Sequence, residues 1–164
     1  MKTGAMKIIL GVWILAAVSA VALATEVKPD FSGTWKLDTQ LSRFSKEVPA
    51  PKSMTMIIEQ RDPKVHLEIK TETKEGAQDH AFDLTTDGTE ATQTNAGVTS
   101  TASVTWGAID GTRMMLTIKQ QTPGGTVVAT RRMKLGSSGK ILTTVLTIRT
   151  PSGPQEAYEF FSRE

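Results

Sequence analysis

Apolar and polar residues alternate with a period of two along most of the chain beyond residue 50. "SMTMIIEQ" (53–60) places Met54, Met56 and Ile58 on one face. "KVHLEIKT" (64–71) places Val65, Leu67 and Ile69 on one face and His66, Glu68 and Lys70 on the other. This is the signature of strands buried on one side. Turn-forming residues recur at short spacing: Asp62-Pro63, Lys74-Glu75-Gly76, Asp87-Gly88, Asn95-Ala96-Gly97, Asp110-Gly111, Pro123-Gly124-Gly125, "GSSG" (136–139) and "PSGP" (151–154). Asp-Gly suits a two-residue hairpin, because a type I′ turn needs positive φ at both central positions. The runs between these turns are rich in Thr, Val, Ile and Met, and they predict about ten strands: 31–38, 52–61, 64–73, 79–86, 89–94, 98–106, 112–121, 125–134, 140–149 and 156–163.

All but one of the links are hairpin-sized, which predicts an antiparallel up-and-down meander without βαβ units. A long meander hides its edges best by closing into a barrel. The exception is "TQLSRFSKEVPAP" (39–51), where Leu41 and Phe44 stand three apart, Asp38 or Thr39 can cap a turn, and Pro49 and Pro51 end it. The expectation is a short helix or lid loop over one barrel end.

Residues 1–24 carry a different pattern. Lys2 and Lys7 precede the apolar run "IILGVWILAAVSA", and Ala22-Leu23-Ala24 supplies the small residues of a cleavage site. This reads as a signal peptide cut after Ala24, with 25–164 as a single domain in the periplasm or outside the cell. The chain has no cysteine, so neither a lipid-modified cysteine nor a disulfide is available, and stability has to come from a core. The chain's net charge of +2 comes from the two leader lysines, so the mature chain is balanced and no nucleic-acid partner is indicated. Charge is nevertheless uneven along the chain. Asp79, Asp83, Asp87 and Glu90 fall in a stretch without Lys or Arg, whereas Arg113, Lys119, Arg131, Arg132, Lys134, Lys140 and Arg149 fall in one without acids. Two solvated faces of opposite sign account for this. Should Arg113 or Arg131 point inward, it becomes the natural partner of a carboxylate or phosphate. Alternation does not fix parity through "TRRMK".

The first strand reads "DFSGTWKLD" (30–38). Trp35 is placed to plug the narrow end of a barrel, Gly33 lets the backbone pass close to a neighbour, and an arginine stacked on the indole completes the plug. Gly-x-Trp on strand one, a meander barrel and an arginine near the chain end resemble the lipocalin and fatty-acid-binding (calycin) group. "FSGTWKLD" is similar to the opening of fatty-acid-binding proteins, and the chain resembles secreted bacterial lipocalin-like proteins in "FSGTWKL", the Ser/Phe-containing connector, "PAP" and the strand ending "IEQ". The resemblance implies a calycin-like barrel in which Gly33, Trp35 and Arg163 form the structural closure. It departs from fatty-acid-binding proteins in two places. The 39–51 connector is too short for two helices, and "AYEFFSRE" lacks their Arg-x-Tyr pair, so fatty-acid binding does not carry over.

Inward faces are expected to include Met54, Met56, Ile58, Val65, Leu67, Ile69, Phe82, Leu84, Val104 and Trp106, with Met115, Leu142, Leu146, Ile148, Tyr158 and Phe160 from later strands. They make either a filled core or a cavity. The cavity candidates are Leu41, Phe44, Met54, Met56, Phe82, Trp106, Arg113, Arg131 and Tyr158, with Leu41 and Phe44 at a mouth beneath the connector. His66 and His80 are too few for a zinc site, and no cofactor is implied. "GSSG" lacks Gly-x-Ser-x-Gly spacing, no phosphate loop precedes a helix, and no catalytic motif is present. The expected function is binding of a small, mostly apolar or amphipathic molecule by a non-enzymatic barrel. The alternative is an envelope protein-interaction or structural module. An integral outer-membrane barrel is disfavoured, because His66, Glu68, Lys70, Asp79 and Asp83 would face lipid.

Overall fold

The computed structural model describes residues 27–95, 97–107 and 111–164; the proposed leader lies outside the described residues. Ten strands follow in chain order: β1 (Gly33–Leu37), β2 (Ser53–Arg61), β3 (Lys64–Glu72), β4 (Ala77–Thr85), β5 (Ala91–Asn95), β6 (Val98–Trp106), β7 (Arg113–Thr122), β8 (Gly125–Leu135), β9 (Ile141–Thr150) and β10 (Gly153–Arg163). They form one antiparallel sheet in the order β4-β3-β2-β1-β10-β9-β8-β7-β6-β5. Every neighbour is consecutive in sequence except β1 and β10, whose pairing (Trp35 opposite Arg163, Leu37 opposite Phe161) curls the meander back on itself. The result is a nearly closed up-and-down barrel with one seam, between β4 and β5.

Alternation drives this curl. Met54, Met56, Ile58, Val65, Leu67, Ile69, Phe82 and Leu84 enter one core with Val104, Met114, Leu116, Met133, Leu142 and Phe161 from the opposite wall. Burial of this apolar surface, at roughly 25 cal/mol per Å² removed from water, is what a cysteine-free chain has to hold it closed.

One barrel end is sealed by the first strand. Trp35 is fully buried, and its Nε1–H donates to the Phe31 carbonyl at 2.9 Å. The Arg163 guanidinium lies 4.6 Å from the centre of the indole ring. Gly33 has φ 142°, a conformation that other residues rarely adopt, and a Cβ there would press on Arg163 Nε at 3.3 Å, so glycine suits the position on both counts. Trp106 belongs to this closed end, with its ring 6.1 Å from Phe31 and Lys28 Nζ 5.0 Å above it.

Four expectations are corrected. No helix forms at 39–51: after Asp38 the chain makes turns, and Arg43 then pairs with Tyr158, extending the β10 ladder where β1 leaves it. Second, Leu41 is 61% exposed on the outside of the barrel, because pairing of Arg43 with β10 carries this segment along the wall. Third, β10 has the opposite parity: Ala157, Glu159 and Phe161 point in, while Tyr158 is exposed and Phe160 half-buried on the outer side. Fourth, Met114 rather than Met115 faces the core, in step with Leu116, and Arg113 is on the outer face.

Candidate ligand-binding site

The seam sets the site. β4 and β5 are the two sheet edges; no ladder joins them, and a side-chain bond and one bridge from their link to β6 hold the seam. At the closed end Asp87 bridges to Thr105, and Gly88 N–H donates to the Val104 carbonyl at 3.1 Å. Gly88 (φ 85°) is obligatory there, since a Cβ would sit 2.9 Å from Thr105 Cγ2. The Asp87 carboxylate accepts from Thr85 Oγ1 (2.7 Å) and Thr89 N–H (2.9 Å); these bonds, the threonine hydroxyl first, pull its pKa down to about 2. Midway, Gln93 Oε1 accepts from Ala81 N–H at 3.0 Å.

At the other end the seam gapes. A cleft of about 190 Å³ lies between Ala77, Gln78, Asp79 and His80 of β4 and Gln93, Val98, Ser100 and Gln120 of β5, β6 and β7. The register places it at the connector end, since Ala77 pairs with Glu72 and Glu72 with Ser53, the first residue of β2. The connector covers only part of that end. Val48 is buried with Leu146 and Ala157, and Phe44 packs half-buried against both this group and the main core.

The cleft's inward positions are polar. His80 continues the inward row of Phe82 and Leu84 and stacks on Phe82 (centroids 6.1 Å apart, planes 10° apart). Burial, followed by the charge of Arg131, lowers the His80 pKa, partly opposed by Asp79. Ser100 is buried beside Gln120, its partner in register.

Within electrostatic reach of His80 lies a charged pair that spans β9 on the inner face of the β8–β10 wall. Arg131 Nε donates to Glu159 Oε2 at 2.9 Å and Nη2 to Oε1 at 3.2 Å. Thr144 Oγ1 donates to Oε2 at 2.6 Å, and Arg131 Nη2 lies 3.9 Å from Met54 Sδ on the facing wall. Glu159 is 1% exposed, whereas the Arg131 side chain keeps 10% of its surface. Arg131 therefore points inward and Arg132 outward, but the guanidinium already has its carboxylate.

The nine cavity candidates are dispersed. Arg131 and Met54 meet in the interior, Met54 two strands from the cleft's Gln78 in register; Phe82 stacks on His80, and Phe44 packs over another part of the same end. Met56 is fully buried in the core and Trp106 belongs to the closed end, while Leu41, Arg113 and Tyr158 lie outside. Of the two alternatives, a filled core or a cavity, the interior is largely a filled core, with a small cleft that has polar residues at its inward positions. Glu159, Thr144, His80, Gln93, Ser100 and Gln120 were absent from the expectation, because polar residues in alternating strands read as solvent-facing.

The outer wall has its own pattern. Met115, Arg132, Val145, Tyr158 and Arg43 form a cross-strand row, and Arg113, Lys134, Thr143 and Phe160 form the next. Tyr158 is 49% exposed beside Leu41.

No family model and no curated protein matches the chain. Among solved structures, zebrafish ileal bile acid-binding protein complexed with cholic acid is similar at a TM-score of 0.49 and 11% identity, over 82% of this chain and 98% of that one. Human cRBP IV is similar at a TM-score of 0.49 and 18% identity, over 83% of this chain and 99% of that one.

Proposed function

We propose that this chain is an exported small-molecule-binding barrel that takes an amphipathic molecule into the cleft at its connector end. The observation that carries this is the set of inward polar side chains, His80, Gln93, Ser100 and Gln120, gathered where β4 and β5 leave the ladder. Packing would be served better by apolar residues at these positions, whereas convergent hydrogen-bonding groups at the mouth of a barrel suit ligand orientation. The volume is below the roughly 300–1,000 Å³ of drug-sized pockets, which favours a short molecule whose tail lodges among adaptable side chains such as Met54. Isothermal titration of purified protein with 1-octanol is the test. Saturable binding is expected, together with its loss when Ser100→Phe fills the cleft; heat of dilution alone for both proteins would remove the reading. Export rests on Ala22-Leu23-Ala24, and N-terminal sequencing of protein recovered outside the cytoplasm is expected to begin at Thr25.

The second reading is a protein-interaction module. It is favoured by the exposed outer rows, where Leu41, Met115 and Tyr158 lie among Arg43, Arg132 and Lys134. A partner retained from an envelope extract by the wild type and lost with Tyr158→Asp would shift the function to this face.

A further inference from the structure

We infer that Glu159 sets the charge class of the ligand: by occupying Arg131 inside the barrel, it makes the site select uncharged amphiphiles and reject carboxylates. The inference rests on the cleft being a ligand site. An inward arginine on its own would attract an anion, because a guanidinium fork matches a carboxylate in two parallel hydrogen bonds. Here that fork is filled from within the chain, Nε and Nη2 each donating to a different oxygen of Glu159. The Thr144 hydroxyl adds a third bond to the same carboxylate and fixes it against its own strand neighbour.

The consequence is electrostatic. The pair is neutral as a unit, so it offers no net attraction to an incoming anion. An anion reaching Arg131 would have to lie beside the buried Glu159 carboxylate, where low dielectric magnifies like-charge repulsion, or displace it and leave it unpaired in the core. A hydroxyl, carbonyl or amide group meets neither obstacle. It can exchange hydrogen bonds with Ser100 and Gln120 at the mouth without bringing a charge toward the buried pair, whose Arg131 touches Met54, two strands from the cleft's Gln78 in register. His80, kept neutral by burial and by Arg131, adds no second cation to tip the balance.

The experiment compares 1-octanol with octanoate, which share a chain and differ in headgroup charge, on wild-type protein and on Glu159→Gln at neutral pH by isothermal titration. The substitution keeps the shape of the side chain and releases the guanidinium's charge. Wild type is expected to bind octanol at least about tenfold more tightly than octanoate, and Glu159→Gln to move that ratio by about tenfold or more toward octanoate. Equal affinities in the wild type, or an unmoved ratio in a folded Glu159→Gln, would overturn the inference while leaving the cleft as a binding site. Binding of neither probe to either protein would overturn both. Should Glu159→Gln fail to fold, the wild-type ratio decides.

Discussion

Trp35 and Arg163 show how much one pair of side chains carries. Trp35→Ala removes a fully buried indole and its bond to the Phe31 carbonyl, and should destabilise by about 3–5 kcal/mol. Arg163 is exposed apart from its face on the ring, so Arg163→Ala should cost far less, with a coupling to Trp35 of about 0.5–1 kcal/mol in a double-mutant cycle read by urea unfolding. Strict additivity would mean that the stacking contributes nothing. The two histidines act on stability in opposite senses. His80 has a lowered pKa, so as pH falls through 6.5 the unfolded chain takes up a proton that the folded chain resists, and stability is lost. His66 has a raised pKa, chiefly from its hydrogen bond to Asp83, with Nδ1 and Oδ1 2.7 Å apart. Its contribution is complete below 6.5 and is lost as pH rises through the folded value; its exposure keeps it small. Relative to wild type, His80→Gln should therefore gain stability between about pH 7.5 and 5.5, and His66→Gln should lose it. Unfolding midpoints that stay parallel across that range would contradict both assignments.

At the scale of elements, the connector divides its work between two sides of the wall. Ser42 Oγ donates to the Asp38 carbonyl at 2.6 Å and accepts from Phe160 N–H at 3.0 Å, pinning the turn to β10. Past that pin, Arg43 extends the ladder outside, and Phe44 and Val48 fold back over the barrel end. Leu41→Ala, on the solvent side, should change stability by less than about 0.5 kcal/mol. Phe44→Ala should cost several times that and speed octanol exchange at the neighbouring cleft, measured by stopped-flow displacement of a fluorescent probe. Exchange faster in Leu41→Ala than in Phe44→Ala would mean that ligand passes along the outer wall instead. Parity of the last strand was legible in the sequence. Opposed residues on antiparallel strands share a face, so an Arg163 stacked on an inward Trp35 already requires Phe161 and Glu159 to point in and Tyr158 to point out. Large aromatics at 158 and 160 concealed this, because apolar size is a stronger cue than alternation counted from a distant contact.

For the whole molecule, the seam is the weak line. Nine strand pairs have continuous ladders, whereas β4 and β5 are joined by the Gln93 side chain, with one isolated bridge, Asp87 to Thr105, tying the link after β4 to β6. Opening there breaks few backbone bonds, so hydrogen–deuterium exchange should be fastest in β4 and β5 and slowest in β2, β9 and β10. Bound octanol should slow exchange selectively at residues 77–81 and around 93. Uniform protection around the ring would mean that the seam is not a gate.

The sequence by itself determined the number of strands, all but one of their boundaries to within two residues, the meander order and the plug of Gly33, Trp35 and Arg163. These are local properties: turn chemistry and two-residue periodicity act over ten residues or fewer, and a meander joins each strand to its chain neighbour. Only the tertiary structure decided where the barrel fails to close, which polar residues face inward there, and that Arg131 is met by Glu159. The two lie 28 residues apart, on strands separated by β9, and alternation treats an inward charge and an outward charge alike. What distinguishes them is an inward partner two strands along the wall, which depends on the register carried across β9.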